Sequence, residues 1–449
     1  MISIETALAQ AGYRCDTSMQ GHMEDWKAWY EGYYSSFHRY TVFNGKVRTE
    51  QKRATLKMAK RVCEDWANLI LNEKVAINAG NDVINEKLKD VFDENDFYVR
   101  ANQLLEKSFA LGSGAFVEYN AADGSAVIDF IPGDMIFPIS WEGVKVTECA
   151  FGSIKVYGGV PYIYLNIHIK DAYGKYIVLN KMYLKESGAQ VRLPEGVESV
   201  IRTNSKNPRF QIIRPNLTNN IEEDSPLGIS IFANAIDEIK GVDLIYDSYL
   251  NEFKLGKKRL IVPVTMTQRS MEDSGNSTPI FDSNDTVFYA IPGNSENNDN
   301  KLQEINMELR NDAHKSALET NLGLLADKCG LGKDKYEFTN GTAKTATEVI
   351  SENSDMFRNL KKHEIVVKSA LIGVVRAVLD ILKYKADVDI SVQFDDSIIE
   401  DRNAEFTRRV QLVANQAMQP WELRAWELGE TEEAARAACA AMQEDIPEV

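Results

Sequence analysis

The sequence predicts an α+β fold that is mainly helical, with an antiparallel β region inserted between helical segments. Three observations indicate this fold. Apolar residues recur at helical spacing over roughly the first hundred residues, and again over a long stretch after Asn340. Between Ala115 and about Ile213 the spacing changes to two, as in strands. A small polar β module is also predicted between two further helices.

Length and composition agree with a folded protein. The chain has 449 residues, of which 44% are hydrophobic and 26% charged, so it can bury a core and does not resemble a disordered sequence. The formal charge of −16 argues against a protein that coats nucleic acid, because that mode needs a basic face. An acidic protein can still confine DNA in a channel, since like charge suppresses strong binding.

The sequence predicts a cytoplasmic protein without a membrane span. The first residues, MISIETALAQAGYRCD, lack the pattern of a signal peptide, and charged residues interrupt the most apolar helical stretch, Val366 to Leu382. The cysteines are odd in number and widely spaced, which is typical of buried thiols in a reducing compartment. They are Cys15, Cys63, Cys149, Cys329 and Cys439.

Helices are predicted for the N-terminal part of the chain. The rings of WKAWYEGYYSSFHRY, which begins at Trp26, recur at steps of three and four, as on the buried stripe of an amphipathic helix. A base-stacking platform is the alternative interpretation, and core packing is favoured because such stripes are normally buried. Further amphipathic helices are predicted from Thr55 to Ile77 and from Ile84 to Gly112.

The β region follows, from Ala115 to about Ile213, with Gly, Pro, Asn or Asp between its alternating segments. This composition predicts antiparallel strands. His168 alternates with Ile167 and Ile169, so we expect an outward-facing polar residue of a strand rather than a metal ligand.

Two helices are predicted to flank the small β module. The first runs over about 40 Å from Ser225 and Pro226, which suit a helix start, to Gly256, which follows its end. A strand, KKRLIVPVTM, and polar stretches follow it. The second helix is predicted from Arg310 to Gly330.

The stretch NGTAKTATEV, which begins at Asn340, resembles a phosphate-binding loop but lacks the spacing of glycine and lysine that such a loop requires. The pattern G-x-x-x-x-G-K-[ST] closes a loop around phosphates, whereas two residues separate Gly341 from Lys344. We therefore do not expect nucleotide hydrolysis. Thr345 and Glu348 instead form a capping box, which predicts a helix start.

The helix that follows is predicted to be very long. Its apolar spacing continues to about Tyr384, or roughly 58 Å if unbroken, with a polar first half and an apolar second half. A strand from Ala386 to Phe394 and terminal helices complete the chain. Ser397 with Glu400 forms a further capping-box pattern.

Signatures of catalysis are missing from the sequence. There is no HExxH or GxSxG motif, and the five histidines lack metal-ligand spacing. The acid pairs Glu222–Glu223 and Asp395–Asp396 could seed the metal site of an enzyme that processes nucleic acid, and this is the alternative function. With 67 acidic residues, however, neighbouring carboxylates arise by chance. A coiled-coil scaffold is a third interpretation, which the lack of a strict heptad disfavours.

The order of these elements resembles the portal proteins of tailed bacteriophages, in particular those of long-tailed phages and prophages of Gram-positive hosts. The segments that carry the resemblance are MAKRVCEDWANLILNEKVAI, SPLGISIFANAIDEIKGVD, TAKTATEVISENSDMFRNLKKHE and FDDSIIEDRNAE.

The resemblance implies a portal-type fold with a division of the chain into named parts. These are a wing at 1–224 with its β-rich part at 112–213, a stem helix at 225–255, a clip at 256–309, a second stem helix at 310–333, a tunnel loop at 334–345, a long wing helix with a return strand at 346–397, and a crown at 398–449.

The resemblance also implies a function. Portal proteins form a ring, usually of twelve subunits, at one capsid vertex, and double-stranded DNA passes through the ring during packaging and ejection. Expected partners are further copies of the chain, terminase, a head-completion or adaptor protein, and capsid and scaffolding proteins. No enzymatic activity, cofactor, metal or membrane is expected. The protein would reside in the virion, and in the host cytoplasm during assembly.

The candidate DNA-channel loop has a composition that suits a crowded axis. Glycine and small residues can approach their symmetry copies, and one lysine per subunit offers a weak contact to phosphate. The loop residues are Asn340, Gly341, Thr342, Ala343, Lys344 and Thr345.

Overall fold

The structure is a computed structural model, and the parts of the chain that it describes form a mixture of helices and mainly antiparallel strands. The described residues are 1–43, 47–71, 75–121, 124–255, 259–263, 269–271, 277–279, 288–291, 303–305, 308–338, 346–385, 388–394, 402–428 and 432–444.

The helices of these ranges include one of 36 residues, α9. They are α1 (Ile4–Gln10), α2 (Gln20–Glu31), α3 (Ser35–His38), α4 (Met58–Ile70), α5 (Asp82–Glu94), α6 (Phe97–Leu111), α7 (Ile236–Leu255), α8 (Asn311–Lys328), α9 (Ala346–Ile381), α10 (Arg402–Ala414), α11 (Pro420–Leu428) and α12 (Glu432–Glu444).

The strands are concentrated between α6 and α7. They are β1 (Arg39–Phe43), β2 (Arg48–Lys52), β3 (Ala76–Asn78), β4 (Gly114–Asn120), β5 (Ala126–Pro132), β6 (Ile136–Glu142), β7 (Lys145–Tyr157), β8 (Val160–Lys170), β9 (Tyr176–Leu184), β10 (Gln190–Val191), β11 (Val200–Arg202), β12 (Phe210–Ile213), β13 (Arg259–Pro263), β14 (Arg269–Met271), β15 (Ser277–Pro279), β16 (Phe288–Ile291), β17 (Gln303–Ile305) and β18 (Ser391–Gln393).

Two antiparallel sheets make up the predicted β region, which is thereby confirmed. The larger has the order β10-β9-β8-β7-β6, with β11 also paired to β9, and the smaller has the order β12-β4-β5. Between α7 and α8, β13 pairs with β16 in parallel and with β17 in antiparallel fashion. This pairing agrees with the small β module predicted there.

The main core lies where α4, α6 and the second half of α9 meet the smaller sheet. Helix α4 places apolar side chains at steps of four, so that one face is buried, and Trp66 at its centre is fully buried. Phe109 of α6 and Leu371 of α9 lie in the same cluster. The apolar second half predicted for the long helix is therefore buried in this core. Helix α1 packs separately on the larger sheet.

The aromatic residues of the first predicted helix pack mainly as core side chains. Trp26 and Trp29 are buried on α2, as the favoured interpretation predicted. The helix stops at Glu31, because Gly32 adopts a left-handed conformation with φ of +82°. Tyr33, beyond this stop, remains 39% exposed.

The prediction that the N-terminal part is wholly helical is wrong at β3, which pairs with β18, and between α3 and α4. Strands β1 and β2 form an antiparallel hairpin there, with Phe43 opposite Arg48. The sequence contained a signal, since Asn44-Gly45, a dipeptide typical of hairpin turns, lies between two β-prone segments.

The first predicted stem helix begins at Ile236 and not at Pro226. The residues before it are buried and bond to the end of α6. The Ile231 N–H donates to Phe109 O at 2.9 Å, and the Gly228 N–H donates to Ser113 Oγ at 3.0 Å. Because these backbone groups are satisfied by another element, the segment has no need to form a helix.

His168 is buried, and the prediction of an outward-facing residue is wrong. Its ring makes edge contacts with Phe151 and with Phe210, and Phe210 belongs to the smaller sheet. Its Nε2 lies 2.6 Å from Asn166 Oδ1. Burial lowers the pKa of His168 to about 3, so the ring is neutral at ordinary pH.

The buried-thiol prediction is confirmed for three of the five cysteines. Cys63, Cys149 and Cys329 are buried, and burial raises the pKa of Cys329 to about 12. Cys15 and Cys439 are partly exposed, and all five thiols are free.

Candidate channel loop and its supports

The predicted channel loop, from Asn340 to Thr345, lies outside the described residues, as does the side chain of Glu348. Helix α9 begins at Ala346, directly after the predicted cap position. The structure describes the chain on both sides of the loop, and these flanks determine where the loop can start and end.

The two helices that precede the loop form an antiparallel pair. Lys328 Nζ near the end of α8 lies 2.7 Å from Glu238 Oε1 near the start of α7. At the opposite ends, Arg310 Nε donates to Glu252 Oε1 at 2.7 Å, and this bond lowers the pKa of Glu252. The β module between the helices therefore leaves the pair at its far end, about 30 Å from the start of α7.

The middle of the helix pair is held by a close approach. A Cβ added to Gly241 would lie 2.6 Å from Asn321 Oδ1, so a larger side chain would displace Asn321. Further along, Ser248 Oγ and His314 Nε2 are 3.1 Å apart. These contacts fix the register of the two helices.

After α8 the chain turns at Gly330 and Gly332, which have φ of +79° and +82°. The turn is attached to two other helices. The Trp66 indole of α4 donates to Cys329 O at 3.0 Å, and Asn359 Nδ2 of α9 donates to Gly330 O at 3.1 Å. The polypeptide that leads into the loop therefore starts from a fixed position.

A second attachment follows at Tyr336. Its hydroxyl donates to Asp65 Oδ2 at 2.8 Å, and Asp65 Oδ1 lies 3.1 Å from Arg61. Burial and the neighbouring carboxylate raise the pKa of Tyr336, so the hydroxyl keeps its proton. Two residues later Phe338 is 53% exposed, and it is the last described residue before the loop. The anchored base thus ends at Tyr336.

A buried polar contact joins α7 to the N-terminal helices. The Leu56 N–H donates to Asp243 Oδ1 at 2.8 Å, and His38 Nε2 lies 3.1 Å from Asp243 Oδ2. The Tyr34 N–H reaches His38 Nδ1 at 2.9 Å. The Tyr34 carbonyl oxygen lies 3.1 Å from the same Nδ1, so both ring nitrogens of His38 have partners. The base of α7 is therefore tied to the segment that carries the β1–β2 hairpin.

The residues of the alternative, enzymatic hypothesis are not brought together in the described structure. Glu222 Oε1 lies 4.0 Å from His22 Nε2, and Asp395 and Asp396 are outside the described residues. Within the described ranges no group of three or more His, Cys, Asp or Glu side chains could hold a metal ion. No helix of those ranges is both long and apolar enough to cross a membrane.

Comparisons with known proteins identify the family. The family model described as "Phage portal protein, SPP1 Gp6-like" matches residues 15–438. No curated protein matches the chain. Among solved structures, a chain of "Neck of native GTA particle computed with C12 symmetry" is similar at 10% identity with a TM-score of 0.43, over 82% of this chain and 88% of that one. Because the family model spans almost the whole sequence, the chain belongs to the SPP1 Gp6-like family of phage portal proteins.

Proposed function

We propose that this portal protein assembles into a closed ring of about twelve subunits at one vertex of a capsid. Double-stranded DNA would pass through the ring axis during packaging and ejection. Membership of the portal family is the observation that carries the proposal. Proteins of this family are generally structural, and we propose that this chain has no enzymatic activity of its own.

The antiparallel packing of α7 and α8 supports the assignment of these helices to the stem. The pair is tied to the body at one end through Asp243 and bears the β module at the other. We assign residues 225–255 and 310–333 to the stem, with the first helical part starting at Ile236, and residues 256–309 to the clip. A stem of this kind separates the clip from the body by the length of the helices.

The remaining parts follow the order of the chain. We assign residues 1–224 to the wing, which includes the larger and the smaller sheet of the β region. Residues 346–397 are assigned to the long wing helix with its return strand. Residues 398–449 would form the crown. We propose that the clip and the crown contact the partners expected of a portal, namely terminase, a head-completion or adaptor protein, and capsid and scaffolding proteins.

The tunnel loop is assigned to residues 334–345. The chain is bonded to α9 at Gly330, just before the loop, and to α4 at Tyr336 in its base, so the force of passing DNA on the tip would be transmitted to the wing core. Small residues and Lys344 at the tip suit transient contact with the phosphate backbone.

Electron microscopy of the purified protein tests the proposal. Twelve chains of 50.6 kDa predict rings of roughly 600 kDa with a central hole. The same rings, added to a packaging reaction with terminase and proheads, should support DNA entry. A protein that remains monomeric with scaffolding protein present, at several salt concentrations, would contradict the proposal.

A further inference from the structure

The β1–β2 hairpin stands away from the body of the chain. Every side chain of β2 is exposed, and in β1 only Tyr40 is partly covered. The hairpin packs on α3 at its base, where the Arg53 N–H donates to His38 O at 2.7 Å. A two-stranded hairpin is at best marginally stable alone in water, so a partner surface would stabilise it.

One face of this hairpin combines charge with an apolar end. Opposite residues of an antiparallel pair share a face, and the register pairs Arg39 with Lys52 and Phe43 with Arg48. Phe43, at the outer end, is 63% exposed. Arg39 is ion-paired with Glu50 of the same face, so the net positive charge comes from Arg48 and Lys52. We call this surface the basic hairpin face, and it comprises Arg39, Thr41, Phe43, Arg48, Glu50 and Lys52.

Helix α5 carries the opposite combination. Its acidic residues recur at steps of three and four on one exposed side, next to Val83, which is 62% exposed. Leu88 and Phe92 occupy the buried side and fix this orientation. Residues 82–96 contain six acidic and two basic residues, and one of the basic residues, Lys87, is ion-paired with Asp90 at 3.1 Å, so the helix keeps a net negative charge. We call the exposed side the acidic stripe, and it comprises Asp82, Glu86, Asp90 and Asp93.

These two surfaces do not combine within one chain. Strand β1 packs on β2 and on α3, whereas α5 packs on α6. A chain that carries a patch and its complement at different places can join head to tail, and such contacts close into a ring when the rotation between copies permits it. The opposite charges also favour correct pairing of the two surfaces.

We propose that the basic hairpin face of one copy docks on the acidic stripe of the next copy. Phe43 would cover the apolar surface beside Val83, and Arg48 and Lys52 would lie among the carboxylates. This inference rests on the proposed ring and names the surface by which neighbouring subunits recognise each other.

Charge reversal tests the pairing. The hairpin variant Arg48→Glu/Lys52→Glu and the stripe variant Glu86→Lys/Asp90→Lys should each lose at least tenfold in the ring fraction measured by mass photometry. Lys145→Glu, a reversal at the start of β7, should assemble like the wild type. Circular dichroism would confirm that each monomer is folded.

Mixing gives the decisive measurement. An equimolar mixture of the hairpin and stripe variants restores opposite charges at every junction of an alternating ring, so rings should reappear. If each variant is folded and forms rings like those of the wild type, the docking inference is overturned and the portal proposal stays intact. The same conclusion follows if the mixture stays monomeric. If the wild-type protein itself never assembles, both the docking inference and the portal proposal fail.

A DNA-binding role of the hairpin predicts a different pattern. The hairpin variant would then form normal rings and lose only its retention of double-stranded DNA in a gel-shift assay, and that result would overturn the docking inference. Conversely, variants that fail to assemble and recover on mixing support it, even if the wild-type ring does not support packaging.

Discussion

His363 shows how burial of one side chain makes stability depend on pH. Its ring packs edge-on against Trp66 and Phe109, and its Nδ1 accepts the Asn216 N–H at 3.0 Å. Burial lowers its pKa to about 3 from 6.5. Between pH 3 and pH 6.5 the unfolded chain binds more protons at this histidine than the native chain does. The contribution of His363 to the free energy of unfolding is therefore fully present above pH 6.5 and declines as the pH falls.

We expect His363→Asn to weaken this dependence. Asn can still accept the Asn216 N–H but does not titrate, so the loss of unfolding free energy between pH 6.5 and pH 5 should shrink by about 2 kcal/mol. Denaturant unfolding at the two pH values measures this difference. His22→Asn, at a side chain that is 41% exposed, is the matched control, and an equal loss in His363→Asn and wild type would contradict the prediction.

At the residue scale the sequence predicted apolar positions well and buried polar ones poorly. The face of α4 that carries Trp66 follows from spacing alone. His168 does not, because alternation assumes that one face of a strand meets water, whereas here Phe210 of a second sheet covers that face. Which sheets pack together is not encoded in the period of a single strand.

At the scale of elements, the junction between α6 and the segment before α7 depends on two glycines. Gly112 has φ of +81°, and a Cβ there would lie 2.4 Å from Gly228 O. A backbone atom cannot rotate away as a side chain can, so the two segments would have to separate. The buried segment could then no longer bond to the end of α6.

We therefore expect Gly112→Ala to destabilise the protein by about 3 kcal/mol or more, from backbone strain together with lost packing. Gly143→Ala is the matched control, because Gly143 also has a positive φ, of +58°, but has no atom within 4 Å of the added Cβ. It should cost only about 1 kcal/mol. Thermal and denaturant unfolding measure both, and similar losses in the two variants would show that the contact with Gly228 is unimportant.

The attachment of the loop base is a second property of elements. Tyr336→Phe removes the hydroxyl that donates to Asp65, at a cost of about 1–2 kcal/mol. Because the bond joins the base to α4, we expect faster amide hydrogen exchange in residues 329–338 and unchanged exchange in the larger sheet. Tyr173→Phe, at an 81% exposed ring, should change neither. Unchanged exchange at the base would show that Trp66 and Asn359 suffice to hold it.

Helices were predicted where an amphipathic pattern met a clear stop. Helix α8 lies within its predicted range, and α9 begins beside its predicted cap. The predicted start of α7 was wrong. Ser225 and Pro226 suit a helix start locally, but long-range hydrogen bonds from Gly228 and Ile231 to the end of α6 hold this segment outside the helix. Local signals cannot reveal such competition.

At the scale of the whole molecule, the order of elements was predictable and the proposed docking surfaces were not. The succession of helices, sheets, a helix pair with a β module and a long helix can be read from changes of period, and it agrees with the portal family. The basic hairpin face and the acidic stripe emerge only after folding, because exposure of Phe43 and Val83 depends on what the rest of the chain leaves uncovered.

The proposed channel function predicts that Lys344 matters for DNA and not for assembly. Lys344→Ala would remove one cation per subunit from the loop, so the ring should form normally while DNase-protected DNA in a packaging reaction falls several-fold, most clearly at low salt, where the contact to phosphate is least screened. Lys335→Ala removes an exposed lysine from the anchored base and is the matched control, with packaging like that of the wild type. Normal packaging by Lys344→Ala would contradict a phosphate contact. Unfolded or unassembled Lys344→Ala protein would show that the lysine serves the fold, and the passing strand would then have to be guided by other residues.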